Sequence, residues 1–205
     1  MLTKQIKDVI LYIIQNVFNG ECMLLFVLIP LLIAVIKGYR ILNVFKVIDL
    51  YPFLSVCLTH GVFIIAAWCD IYTFVQYSDL MQYLFIITLL LPIFRRQLSV
   101  QAIVGSVLTV VGTLLNKLVI NANDGHMPVR LSLSKLIGYA SDSDFMGSVD
   151  SMHILMSDQT KMNFLADYID LGTLIMSPGD VLIHSFASII VYYTLISVCP
   201  RKEGR

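Results

Sequence analysis

The stretch SPGDVLIHSFASIIVYYTLISV, residues 177–198, sets the architecture. Its first four residues form a helix start. Ser177 is an N-cap, and Pro178 takes the first helical position, where an N–H would have no partner anyway. Asp180 stands at the third position, where a carboxylate returns a hydrogen bond to the cap and meets the positive end of the helix dipole. Val181 to Val198 then runs without a single Asp, Glu, Lys or Arg. A helix needs about 20 residues at 1.5 Å each to cross a hydrocarbon layer of ~30 Å, so the run reads as a membrane span.

Working back towards the N-terminus, four more apolar runs appear: Cys22 to Ile36, Phe53 to Val75, Leu80 to Phe94 and Val100 to Ile120. The first and third are short, a difference that tilt or local bilayer thinning makes up. Pro30 and Pro92 fall inside runs, which is compatible with spanning because neighbouring helices can satisfy the carbonyls that proline frees. Composition agrees: 58% of the 205 residues are hydrophobic and 14% charged, and the mean hydropathy is +0.82, outside the usual range of soluble domains. The expectation is an all-α polytopic membrane protein with about five transmembrane helices.

Basic residues orient it, because Lys and Arg concentrate in cytoplasmic loops. Lys37, Arg40 and Lys46 follow the first run, Arg95 and Arg96 separate the third from the fourth, and Arg201, Lys202 and Arg205 end the chain. With five spans all three groups share one side. Every one of the 14 acidic residues except Asp49 and Glu203 then faces the other. The expected topology has the N-terminus outside and the C-terminus cytoplasmic. A basic surface of the kind nucleic acid needs is missing. Residues 1–20 place Leu2, Ile6, Val9, Ile10, Ile13, Ile14 and Val17 at helical spacing, the pattern of an amphipathic helix on the outer surface. Residues 21–120 then hold spans one to four, 121–179 an extracytoplasmic cap of short helices and loops, and 180–205 the fifth span with a basic tail. The four cysteines form no CxxC pair; a Cys22–Cys69 bridge near the outer face is left open.

The cap is where recognition or chemistry belongs. Asn123-Asp124-Gly125 is turn chemistry. Ser132 or Ser134 caps a short helix stopping at Gly138, and a second helix is expected from Ser157 or Asp158 to Gly172, burying Met162, Leu165 and Ile169. Asp167 and Asp180 bracket a loop long enough to bring them together. Two carboxylates a few ångströms apart share a proton: the charged one activates water while the protonated one polarises a carbonyl. Asp170 competes with Asp167, but the apolar neighbours in LADYI favour Asp167 through desolvation. The bland account of Asp180 is a helix cap alone.

Three stretches, GYRILNVFKVIDLYPFL (residues 38–54), NANDGHMPV (121–129) and TKMNFLADYI with SPGDVLI (160–169, 177–183), resemble a family of small multi-span bacterial membrane proteins whose function is unknown. The chain's ending is also distantly similar to lipoprotein signal peptidase. That resemblance implies a catalytic pair at Asp167, in Ala-Asp-Tyr-Ile, and Asp180, in Pro-Gly-Asp-Val-Leu-Ile, with Asn123 as a substrate-orienting group. The chain departs from that family in having no span between its Asn-x-Gly and its first aspartate, and no Asn-x-x-Asp-Arg motif. The function these residues suggest is an aspartic membrane peptidase acting at the extracytoplasmic interface on a membrane-anchored peptide or protein. A non-catalytic scaffold binding a partner through 121–179 is the alternative, and a cysteine-type peptidase built on Cys57 and His60 a lesser one. No cofactor is implied. His126, His153 and His184 lack metal-binding spacing, so no metal is expected.

Overall fold

The computed structural model describes residues 25–40, 47–69, 71, 73–74, 77–137, 153–172 and 174–199. The expected amphipathic helix over 1–20, Cys22 and the basic tail from Arg201 lie outside them, while Cys69, the other half of the open bridge, is a free, exposed thiol. Among the described residues, helices occupy all five apolar runs: α1 (Leu25–Ile36), α2 (Tyr51–Trp68), α3 (Ser78–Arg95), α4 (Ser99–Ala122) and, after a four-residue α5 (Leu133–Leu136), α6 (Pro178–Val198). Two of these, α4 and α6, are long and apolar enough to cross a membrane. Only 17% and 28% of their apolar windows are buried, whereas the core helix of a soluble protein would be mostly covered. On α4, Val100, Ile103, Val107, Val110, Leu114 and Leu118 are all exposed.

The chain divides into two compact units. In the unit made of Asn19–Val107 and His184–Arg205, Leu50, Phe53, Phe85, Leu89, Ile190 and Leu195 form the core. Phe85 is met edge-on by both Phe53 and His60, at 5.8 and 5.7 Å between ring centroids. His60 is buried, and neither ring nitrogen has a hydrogen-bond partner among the described residues, so it packs as an aromatic ring. Pro30 lacks the N–H that would bond the Phe26 carbonyl four residues back; Ser188 Oγ on α6 donates to that carbonyl at 2.6 Å instead. Asp49, one of the two acids that the charge pattern sets apart from the other twelve, is buried and clamped. Arg95 Nη1 donates to its Oδ1 at 3.0 Å and Arg96 Nε to its Oδ2 at 2.6 Å. Burial pushes the carboxyl's pKa up, but the two guanidinium groups outweigh it and hold the group below its ordinary range.

In the unit that includes Leu108–Ile183, the 121–179 segment departs from two helices and loops: its described residues carry four short strands. Strand β1 (Met127–Val129) pairs in parallel with β2 (His153–Leu155), and β3 (Ile169–Asp170) pairs antiparallel with β4 (Ile175–Met176). The helix expected from residue 157 to 172 is replaced by turns. The cause is local: Thr160 Oγ1 and Asn163 Nδ2 donate to the Ser157 carbonyl at 2.7 and 3.1 Å, competing with helical bonding, and Met162 adopts φ +58°. Met162 and Leu165 still pack on the small core of Val119, Met127 and Ala166. The Asn-Asp-Gly turn forms as expected, with Asp124 at φ +54° and Gly125 at +91°. The short helix after Ser132 also forms. Its cap comes from a distance: Asp170 Oδ2 accepts from the Ser132 and Ser134 N–H groups at 2.7 and 3.0 Å and from Ser134 Oγ at 2.6 Å.

Candidate functional site

Asp167 is fixed by its main chain. Its N–H donates to the Pro128 carbonyl at 3.0 Å and its carbonyl accepts from the Arg130 N–H at 2.8 Å, a parallel bridge opposite Val129. This makes the MPV motif the middle of a three-stranded arrangement, β2–β1–Asp167. Paired residues share a face of a sheet, so the Asp167, Val129 and Leu155 side chains lie on one side with His153 and Met127. Residue Asp167 is only 7% exposed, and its Oδ1 has no hydrogen-bond partner among the described residues. Its Oδ2 stands 3.6 Å from His153 Nε2. Burial, with the negative charge of Asp180 adding to it and His153 opposing, pushes the carboxyl up to about 7.

Asp180 is held differently. The Asp180 N–H donates to Ser177 Oγ at 3.0 Å, and the Ser177 N–H donates back to Asp180 Oδ2 at 2.9 Å, which closes the capping box read from SPGD. Asn116 Nδ2 donates to Oδ1 at 2.8 Å. Ser177 Oγ lies 2.8 Å from Asp180 Oδ2 and 2.9 Å from Asn116 Oδ1, and its single proton serves one of them at a time. Asn116 reaches this position because α4 and the start of α6 touch at two glycines. A Cβ on Gly112 would overlap the Gly179 carbonyl, and one on Gly179 would overlap Asn116 Oδ1. The reciprocal cap therefore accounts for Asp180's geometry by itself, while its charge reaches Asp167.

The other expected residues separate clearly. Asn123 Nδ2 donates to the Val119 and Lys161 carbonyls, each at 2.9 Å, and its Oδ1 accepts from the Lys161 N–H at 2.8 Å. Its carboxamide is thus committed to main chain, joining the end of α4 to the 157–163 turn. Asp170 is saturated with donors. Partial burial raises its pKa, and the hydrogen bonds from Ser134 Oγ and the Ser132, Gly172 and Ser134 N–H groups outweigh this, leaving it below the ordinary range. Asn116 is the residue that sequence reasoning missed, and a carboxamide within the apolar run of α4, one turn after Gly112, was its signal. His153, weighed only as a metal ligand, proves to be the neighbour of Asp167. Among the described residues no three His, Cys, Asp or Glu side chains gather as a metal would require. A shallow groove of about 270 Å³, lined by Arg130, Met156, Asn163, Phe164 and Tyr168, lies in the same unit. Strand alternation puts Arg130 and Tyr168 on the sheet face opposite Asp167.

The sequence profile of a family of unknown function, DUF5317, matches residues 42–192. The chain belongs to this family. Asn116, Asp167, Ser177 and Asp180 all lie inside the DUF5317 match, whereas α1 precedes it. Neither a curated protein nor a solved structure matches the chain.

Proposed function

We propose that this DUF5317 chain spans a bacterial inner membrane five times, with its N-terminus outside and C-terminus cytoplasmic, and hydrolyses a membrane-anchored peptide or protein at the outer interface. One observation carries the catalytic part: a buried carboxyl at Asp167, with an unpartnered oxygen, titrating near 7 within reach of the charge of Asp180. Such a group is half protonated at neutral pH, the condition a general acid needs. In this reading Asp180, with three of its roughly four acceptor sites in use, takes a proton from water as the water oxygen attacks the carbonyl carbon. Protonated Asp167 donates a hydrogen bond to the carbonyl oxygen. The C–N bond then breaks, and the amine leaves with the proton that Asp180 took from the water, which restores the carboxylate. Asn123 is a positioning residue acting through the 157–163 turn.

Replacing Asp167 or Asp180 by Asn tests this in cells carrying only the variant. Expected is accumulation of the same uncleaved peptides in both, with protein abundance unchanged for Asp167→Asn. The self-sufficient capping of Asp180 favours a second reading, a non-catalytic scaffold whose 121–179 segment docks a partner. Unchanged peptide profiles in Asp167→Asn cells, with a loss of abundance confined to Asp180→Asn, would establish it.

A further inference from the structure

In the unit that carries α1, a groove of about 250 Å³ runs between α1 and α6, lined by Ile29, Pro30, Ile33, Ser188, Ile189 and Tyr193. Its walls are apolar apart from Ser188, whose hydroxyl is committed to the Phe26 carbonyl. Lys37 and Tyr192 complete the lining. Lys37 follows the last turn of α1, and it continues the Ile29/Pro30, Ile33 stripe at helical spacing. From Ile29 to Lys37 is roughly 12 Å of helix rise. Lys37 Nζ donates to the Tyr192 hydroxyl at 3.1 Å and lies 5.1 Å from the centre of its ring. An ammonium has three protons and this bond uses one. Among the described residues Lys37 has no carboxylate partner.

We propose that this groove holds one acyl chain of an anionic phospholipid, with the phosphate bound by Lys37 Nζ and the Tyr192 hydroxyl. The inference rests on the membrane-spanning part of the proposed function and is independent of hydrolysis. An acyl chain leaving the bilayer for the groove exchanges one apolar contact for another and gains little. Selectivity for a lipid therefore comes from the charged end, and one cation near a headgroup gives a preference of about fivefold. The chain contributes order: it lies along two helices, so the headgroup is delivered to Lys37 in one place.

The full-length protein, purified in detergent and offered equal amounts of phosphatidylglycerol and phosphatidylcholine, would be examined by native mass spectrometry. Expected is about fivefold more retained phosphatidylglycerol. Lys37→Gln should equalise the two lipids, and Ile33→Trp, which fills the groove, should reduce retention of both, with thermal unfolding in detergent unchanged for Lys37→Gln. Equal retention by the parent protein, or an undiminished preference in Lys37→Gln, would overturn the proposal. So would displacement of the retained lipid by millimolar inorganic phosphate, which marks a site for a free anion. Alkaline carbonate treatment of membranes separates the two readings: a released protein ends both, while a protein that stays embedded without lipid preference ends this one alone.

Discussion

Asp167 and Asp49 are both buried carboxylates, and their surroundings drive them in opposite directions. Asp49 has two arginines and Asp170 several N–H and O–H donors, so the stabilisation each contributes is present above its unfolded pKa and disappears as pH falls through its lowered folded value. Asp167 is raised from 3.8 to about 7, so its contribution is complete below 3.8 and is lost as pH rises through about 7. The stability of the fold is therefore expected to peak between these limits. Asp167→Asn should remove the decline between pH 5 and 8.5, on the order of 2–4 kcal/mol, as followed by thermal melts in detergent. An unaltered alkaline decline in that variant would mean that Asp167 is not the titrating acid. The sequence pointed to Asp167 through its apolar neighbours, and that much was legible. The rival claim of Asp170 was decided by donors on Ser132 and Ser134, far away along the chain, which no local pattern announces.

At the scale of elements, the contact between α4 and the first turn of α6 brings Asn116 to Asp180. Gly112 and Gly179 are required there because each would drive a Cβ into the other helix. Gly179→Ala should destabilise by about 1–3 kcal/mol through overpacking, and it should separate Asn116 from Asp180. Gly38→Ala is the control: φ is +82° there, but nothing lies within 4 Å of the added Cβ, so only backbone strain is introduced. Urea or thermal unfolding of the two variants measures the difference, and equal losses would refute the close-packing account. The SPGD cap was legible because a capping box is written within four residues. The 157–172 helix was misjudged because Ser157, Thr160 and Asn163 bond the main chain sideways, and because β1 offers Asp167 a strand partner across the chain.

For the whole molecule, the charge asymmetry makes a topological prediction. A thiol label at a cysteine introduced in place of exposed Phe164 should react from outside intact cells, and one in place of Arg201 should react only after permeabilisation. Both reacting from outside would mean that no single crossing separates them, which ends the five-span orientation. Asp49 looked like an exception to the asymmetry, and its burial between Arg95 and Arg96 explains it as an internal counter-charge.

By itself the sequence determined the apolar helices, the left-handed Asn-Asp-Gly turn and the cap of α6. Each follows from periodicity, steric freedom or hydrogen bonding among residues within a turn or two of one another. Only the tertiary structure decided that Asp167 is the desolvated acid, that Asp170 serves α5, that Asn123 is a latch and that Asn116 meets Asp180. Burial and Coulomb interaction depend on distance in space, and the hydrogen-bond partners that fix Asp170, Asn123 and Asn116 lie 36 to 64 positions away in the chain.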